Sequence, residues 1–550
     1  MKQEKKTNFI MQAGILAAAG IIVRIIGILY RSPLVAIIGD EGNGYYSKAY
    51  NIYTIILLVA SYSIPSALSK VMAAKIGVGQ YKNAHKLFKG ALIYVFIVGG
   101  LASLFCYFCA DSIVGHNSAT VLKVFSPTIF LSGLLGCLRG YFQAGKSMVE
   151  TSVSQILEQI LNALVSVFGA YLLIASVAGE SDTTKAVYGA IGSAIGTGSG
   201  VLIALILMLA IYLKRRASLM ERLSSDDCEE LLSGKDVARI LLSMVTPIIL
   251  STCIYNLSTV SNLKIYEKIS QDIFHMDEAT SSTMYGLFSG KAVQLINIPV
   301  AIATAMSAAI IPVISSSYER KEYEDTNKRI AQAIKTTMLI ALPAAVGLFV
   351  LSKPVTYLLY PQMSSLQTVS SLIKTLSVTV VLLCLSTLSN GILQGTGFVN
   401  RPVINAAVSL IVQAVFLTFS LLYTDLGLYA LCIANIIYAL LMCITNNLSM
   451  RHALGYKQEI KRTFVLPAIA ALIMGVVAFV LYFVPSLILQ NAGKSVNWFT
   501  SAILLAVDVF ISVIVYFIFV IKLKALNRSE LLALPKGRSL AALCEKLHLL

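Results

Sequence analysis

Apolar residues run in stretches of about twenty or more along the whole chain, and short polar gaps separate them. A stretch of that length crosses a hydrocarbon core about 30 Å thick as an α-helix. The ten-residue alternation of an outer-membrane barrel strand is missing, which leaves the helix as the way to satisfy every backbone N–H and C=O in lipid. The pattern predicts spans at roughly 9–38, 44–72, 87–110, 120–142, 151–177, 187–213, 237–266, 283–316, 332–360, 368–396, 402–423, 427–447, 464–490 and 499–521. The expected fold class is an all-α polytopic membrane protein of about fourteen transmembrane helices.

Composition sharpens this. Of 550 residues, 57% are hydrophobic and 13% charged, far too few charges to cover a water-soluble surface of this size. The net charge of +16 raises nucleic acid as a partner, but its placement argues against it. Lys214-Arg215-Arg216, Arg320-Lys321, Lys328-Arg329 and Lys461-Arg462 fall in alternate gaps. Positive charge in alternate loops marks the cytoplasmic side, so a bacterial cytoplasmic membrane with both termini inside is expected. Met1–Asn8 reads as a short basic tail leading into a full-length helix. Cys106 and Cys109 have CxxC spacing inside an apolar run, where packing is the simpler use. The five histidines lack metal-ligand spacing, and a Walker phosphate loop is missing. A transporter rather than an enzyme is expected, with no cofactor and an unidentified coupling ion.

Two stretches match across the longest hydrophilic gap. Ile64-Pro65 with its basic loop resembles Ile311-Pro312, and Leu138 to Gly145 resembles Leu393 to Gly397. The second offset sets Ser154, Glu158 and Asn162 opposite Asn405, Ser409 and Gln413, two polar stripes of identical spacing. The expected organisation is a six-helix bundle over 1–213, a cytoplasmic linker over 214–236 and a second six-helix repeat over 237–447. Two additional helices follow within 448–521, then a basic tail over 522–550.

Candidate chemistry begins in the first helix. Gly20, Arg24, Gly27 and Arg31 recur at spacings of four, three and four, on one stripe. A charge near the bilayer centre costs about 2.5–3.5 kcal/mol, so such a side chain faces a cavity or a partner. Arg31 has a second reading, as a residue snorkelling to the outer interface. Lys48, Lys70 and Lys291 extend the basic set, each open to the alternative of an interfacial anchor. Together they are expected to line an electropositive cavity, and guanidinium forks suit a phosphate-bearing substrate. Glu158 either balances a buried cation or joins helices as polar glue. Tyr255 and Asn262, with Ser251 and Ser258, form a polar stripe on the seventh helix. Asp508 sits in the middle of the last span, outside the duplication, and nothing in the sequence pairs with it.

The run from Arg24 through Arg31-Ser-Pro, the segment Gly39-Asp-Glu-Gly-Asn-Gly44-Tyr-Tyr and the run Ile64-Pro65 to Lys70 resemble the polysaccharide-exporter family. That family includes stage V sporulation protein B and the MurJ-type lipid II flippases, within the multidrug/oligosaccharidyl-lipid/polysaccharide exporter superfamily. Arg139-Gly-Tyr-Phe-Gln143 and the stretch from Tyr285 to Pro312 fit it too. The resemblance implies a flippase for a polyprenyl-pyrophosphate-linked precursor, working by alternating access as a monomer among membrane lipids. It also implies cavity cations on the first, second and eighth helices. Arg24 and Arg31 match the first-helix pair with one residue more between them, Lys70 stands where arginine is expected, and Lys291 occupies the comparable stretch. The last two helices are implied to hold the lipid tail. The alternative within the superfamily is a cation-coupled multidrug exporter, whose organic cations Arg24 and Arg31 would repel.

Overall fold

A computed structural model describes residues 2–62, 64–145, 147–224, 226, 231–492 and 497–526. The chain is 89% helical, with no strand among the described residues. Twelve helices there are long and apolar enough to cross a membrane. The first of these runs through Gly39, where φ of 70° and ψ of −178° break Lys2–Leu57 into two arms. A side chain is strained at that φ, and glycine is not. The arms meet at this single residue, where the sequence predicts a boundary between 38 and 44. Gly234–Glu267 adds a further 34-residue helix, started by a capping box in which Ser233 and Asp236 bond each other's backbone N–H. The expectation of an all-α polytopic membrane protein holds.

Contacts divide the chain into two compact units, Met1–Gly286 and Leu287–Leu550. In the first, helix Val149–Ser176 packs along Asp182–Lys214, and both pack on Lys2–Leu57 and His116–Ala144. Small residues set the closeness. A Cβ on Gly192, Gly196 or Gly200 would overlap Ala170 N, fall on the Ser166 hydroxyl, or stand 2.5 Å from the Glu158 carbonyl oxygen. This ridge of glycines lets the two helices approach backbone to backbone, as helices do where lipid supplies no hydrophobic drive. It also fixes the height of Glu158.

In the second unit, Met363–Gly395 is the central helix, packed by Val293–Glu319, Tyr323–Val350 and Leu428–Leu454. Its Gly391 and Gly395 lie on Ile311, as Gly136 and Gly140 of the first unit lie on Pro65. The last two helices, Leu466–Asn491 and Trp498–Lys522, pack on each other, and Leu466–Asn491 packs on Tyr323–Val350. Ala470, Ala471, Met474, Tyr516 and Val520 bury themselves there against Leu339, Leu342 and Val346.

Candidate functional site

On the first helix Arg24 is exposed and Arg31 half-exposed. Gly27 between them faces Gln159, to which a Cβ would approach within 3.2 Å. Arg31 lies within electrostatic reach of Tyr46 and Tyr50 on the second arm of the same helix. Tyr46 and Tyr50 stack at 5.6 Å, and Tyr53 stacks on Phe125 at 4.7 Å. Glu158 reaches Tyr50 and Tyr53 from the neighbouring helix. Arg31, the tyrosines and Glu158 therefore share one neighbourhood. Sequence reasoning picked out the charges and missed the tyrosines, although their spacing of four and three is the signal of one helix face.

Glu158 is not a lone carboxylate. Arg139 Nη2 lies 2.6 Å from its Oε2, and Arg139 Nε donates to the Ser154 hydroxyl at 3.0 Å. Asn162 accepts from Ser166 at 3.0 Å and from Thr197 at 3.4 Å. In the second unit Asn390 accepts from Asn446 at 2.7 Å, and Asn405 donates to Asn446 at 2.8 Å. The first stripe is held by an ion pair and the second by amides. Arg139→Ala leaves Glu158 half-buried without its cation. The expected cost is about 1–2 kcal/mol, between the values for exposed and buried pairs, read as a lower thermal midpoint. Glu158→Gln in the same background should restore most of it.

Lys48 is fully buried and ion-paired with Glu267 at 2.9 Å. Lys264 stands 3.7 Å from the same carboxylate and also donates to the Ile113 carbonyl. Close backbone contact brings these elements together: a Cβ on Gly44 would overlap the Ser282 carbonyl, and one on Gly286 would meet Gly44 Cα at 2.6 Å. Asn43 donates to the Gly286 carbonyl and Asn51 to the Tyr285 hydroxyl, each at 3.4 Å. Asp277 caps helix Glu278–Tyr285 through Thr280 N, and that hydrogen bond holds its carboxyl below the usual carboxylate range. Lys48 thus sits in an ion-paired junction, and Glu267 is a partner that sequence reasoning did not name.

Lys70 is exposed on Ile64–Gly77, Asn262 is buried on Gly234–Glu267, and the side chain of Tyr255 lies outside the described residues. In the second unit Lys291 is fully buried, donating to Gln362 at 2.6 Å and Ser365 at 3.1 Å, with the Tyr360 ring 5.3 Å away. Gln362, Ser365 and the Tyr360 ring face this ammonium, the ring as a cation–π partner.

A family model described as polysaccharide biosynthesis protein matches residues 10–318, more than half the chain. The chain belongs to this family. A second model, MatE, matches residues 290–419. Lipid II flippase MurJ of Bacillus subtilis (strain 168) is 26% identical over 476 residues, covering 83% of this chain and 85% of that protein. Stage V sporulation protein B of the same organism is 22% identical over 540 residues, 96% and 98% of the two chains. The fold matches an inward-facing multidrug resistance MATE family transporter with a TM-score of 0.65 at 16% identity, over 80% of this chain and 98% of that one. It matches lipid II flippase MurJ in an inward closed conformation with a TM-score of 0.62 at 17% identity, over 92% and 97%. The many long apolar helices make the chain a multi-pass membrane protein, and several of the proteins it resembles are named as flippases or transporters.

Proposed function

We propose that the chain flips a polyprenyl-pyrophosphate-linked cell-wall precursor, lipid II or a related lipid-linked oligosaccharide, across the bacterial cytoplasmic membrane by alternating access. The observation that carries this reading is Arg24 and Arg31 on one stripe of an apolar helix, with stacked tyrosines and Glu158 around Arg31. The guanidinium forks bind the pyrophosphate oxygens. The tyrosines give flat apolar faces and hydroxyls to the sugars, and Glu158, Tyr255 and Asn262 add polar contacts. Lys48, Lys70 and Lys291 add positive charge for the anionic headgroup. Two like halves, 1–213 and 237–447, give the two access states, and the last two helices attend the lipid tail. Both termini are cytoplasmic and the monomer suffices. The MurJ relative supports the cargo class, and paired arginines disfavour the organic cations of a multidrug exporter.

Flux of a fluorescent lipid-linked sugar in proteoliposomes tests it. Arg24→Ala and Arg31→Ala should each lower flux about ten- to hundredfold, the equivalent of one or two charge-assisted hydrogen bonds. Lysine at either position should recover part of it. Full flux by both alanine variants, or efflux of organic cations in place of the lipid, would overturn the reading.

A further inference from the structure

Asp508 belongs to none of the chemistry above. It lies in the middle of Trp498–Lys522 and is 1% exposed. Ser501, Leu505, Ser512 and Tyr516 are buried on the same helix at spacings that put them on its side. The Ser512 hydroxyl donates to Asp508 Oδ1 at 2.9 Å. Asp508 Oδ2 is buried and has no hydrogen-bond partner among the described residues. Nearby hydroxyls are committed: Tyr482 and Ser501 bond each other at 2.7 Å, and Tyr516 donates to the Leu339 carbonyl.

Among the described residues, the elements packed around Asp508 bring no cation to it. Leu466–Asn491 contains no charged residue and offers only Tyr482 as a titratable group. Ser352–Leu359 contributes Tyr357 and Lys353, and Lys353 is exposed. The charged residues of Tyr323–Val350 lie in its first half: Glu324 pairs with Lys328, Asp325 with Arg329, and Lys335 precedes Leu339 by one turn. Leu339 meets Tyr516, about 12 Å along the helix from Asp508. Lys522 on the same helix is about 21 Å away.

We propose that Asp508 is a proton-binding site: Oδ2 takes a proton while the last two helices are packed and yields it to water when they part. A buried carboxylate with one oxygen unbonded and no cation beside it among the described residues is among the costliest groups a bilayer can hold, and a proton removes its charge. Alanines 470, 471 and 478 let the helix pair close without bulk. Proton occupancy and the packing of this helix pair are therefore one equilibrium. The packed form holds the proton more tightly than the parted form, so raising the pH takes stability away from it.

The full chain reconstituted in lipid serves for the test, and no transport substrate is required, so the outcome is separate from that of the flux assay. The infrared difference between wild type and Asp508→Asn should contain a carboxylic-acid C=O band at neutral pH that gives way to carboxylate bands as pH rises. The thermal midpoint of the wild type should fall as the pH rises and the carboxyl loses its proton, and that of Asp508→Asn should stay level. Asp508→Leu, equally unable to bind a proton, should also stay level and stands in if the asparagine variant misfolds. A difference spectrum with only carboxylate bands at neutral pH, or variants that keep the wild-type pH slope, would overturn the proposal.

Discussion

Lys48→Ala is expected to lower the thermal midpoint of the purified protein more than any other single charge removal considered. Lys48 is wholly buried, and its carboxylate partner Glu267 has a side chain only 10% exposed. Deleting one member of a buried pair leaves the other charge without compensation, at a cost of about 3–5 kcal/mol. Lys264 moderates this from 3.7 Å, but it is 44% exposed and shared with the Ile113 carbonyl. The double change Lys48→Met with Glu267→Leu removes both charges and should bring the midpoint back toward wild type, because apolar groups of similar volume tolerate such a site. Size-exclusion chromatography after graded heating measures both. An unchanged midpoint for Lys48→Ala would mean that the pair does not hold this junction together.

Gly44→Ala should be as damaging by a different route. The new Cβ would meet Ser282 backbone atoms, including the carbonyl carbon at 2.5 Å, and a Cβ on Gly286 would in turn meet Gly44 Cα at 2.6 Å. Neither neighbour is a flexible side chain able to swing away, so the backbones themselves must separate. Overpacking costs of about 3 kcal/mol or more follow. Separation would also stretch the Asn43 and Asn51 hydrogen bonds across the same junction. Gly100→Ala is the control: no heavy atom lies within 4 Å of its Cβ, and alanine in a helix is worth about 0.5–1 kcal/mol over glycine. The two alanine variants should therefore move the midpoint in opposite directions. A Gly44→Ala protein as stable as wild type would show that this contact opens at little cost.

Both results concern contacts that no stretch of sequence announces. Lys48 reads as one polar residue near the start of a span, and Glu267 as one near the end of another; only the meeting of Gly44 with Ser282 joins them. Arg139 and Glu158 are closer in sequence, yet they lie on different helices, and helical periodicity says nothing about which faces will touch. The polar gap over 214–235 suggests where the chain divides, whereas contacts divide it at Gly286. A hydrophilic gap records exposure to water, and a unit boundary records which helix faces are packed.

Class and the position of the buried-charge problem were determined by the sequence alone, because hydrocarbon admits only hydrogen-bonded helices of sufficient length and penalises every charge within them. The arginine stripe was equally determined, since a spacing of four, three and four can form just one face. Which lysines are caged, which carboxylate gains an arginine and which keeps an unbonded oxygen were decided only by tertiary structure. Those outcomes turn on interatomic distances between helices, set by where glycines let backbones meet, and a one-dimensional pattern carries no such distances.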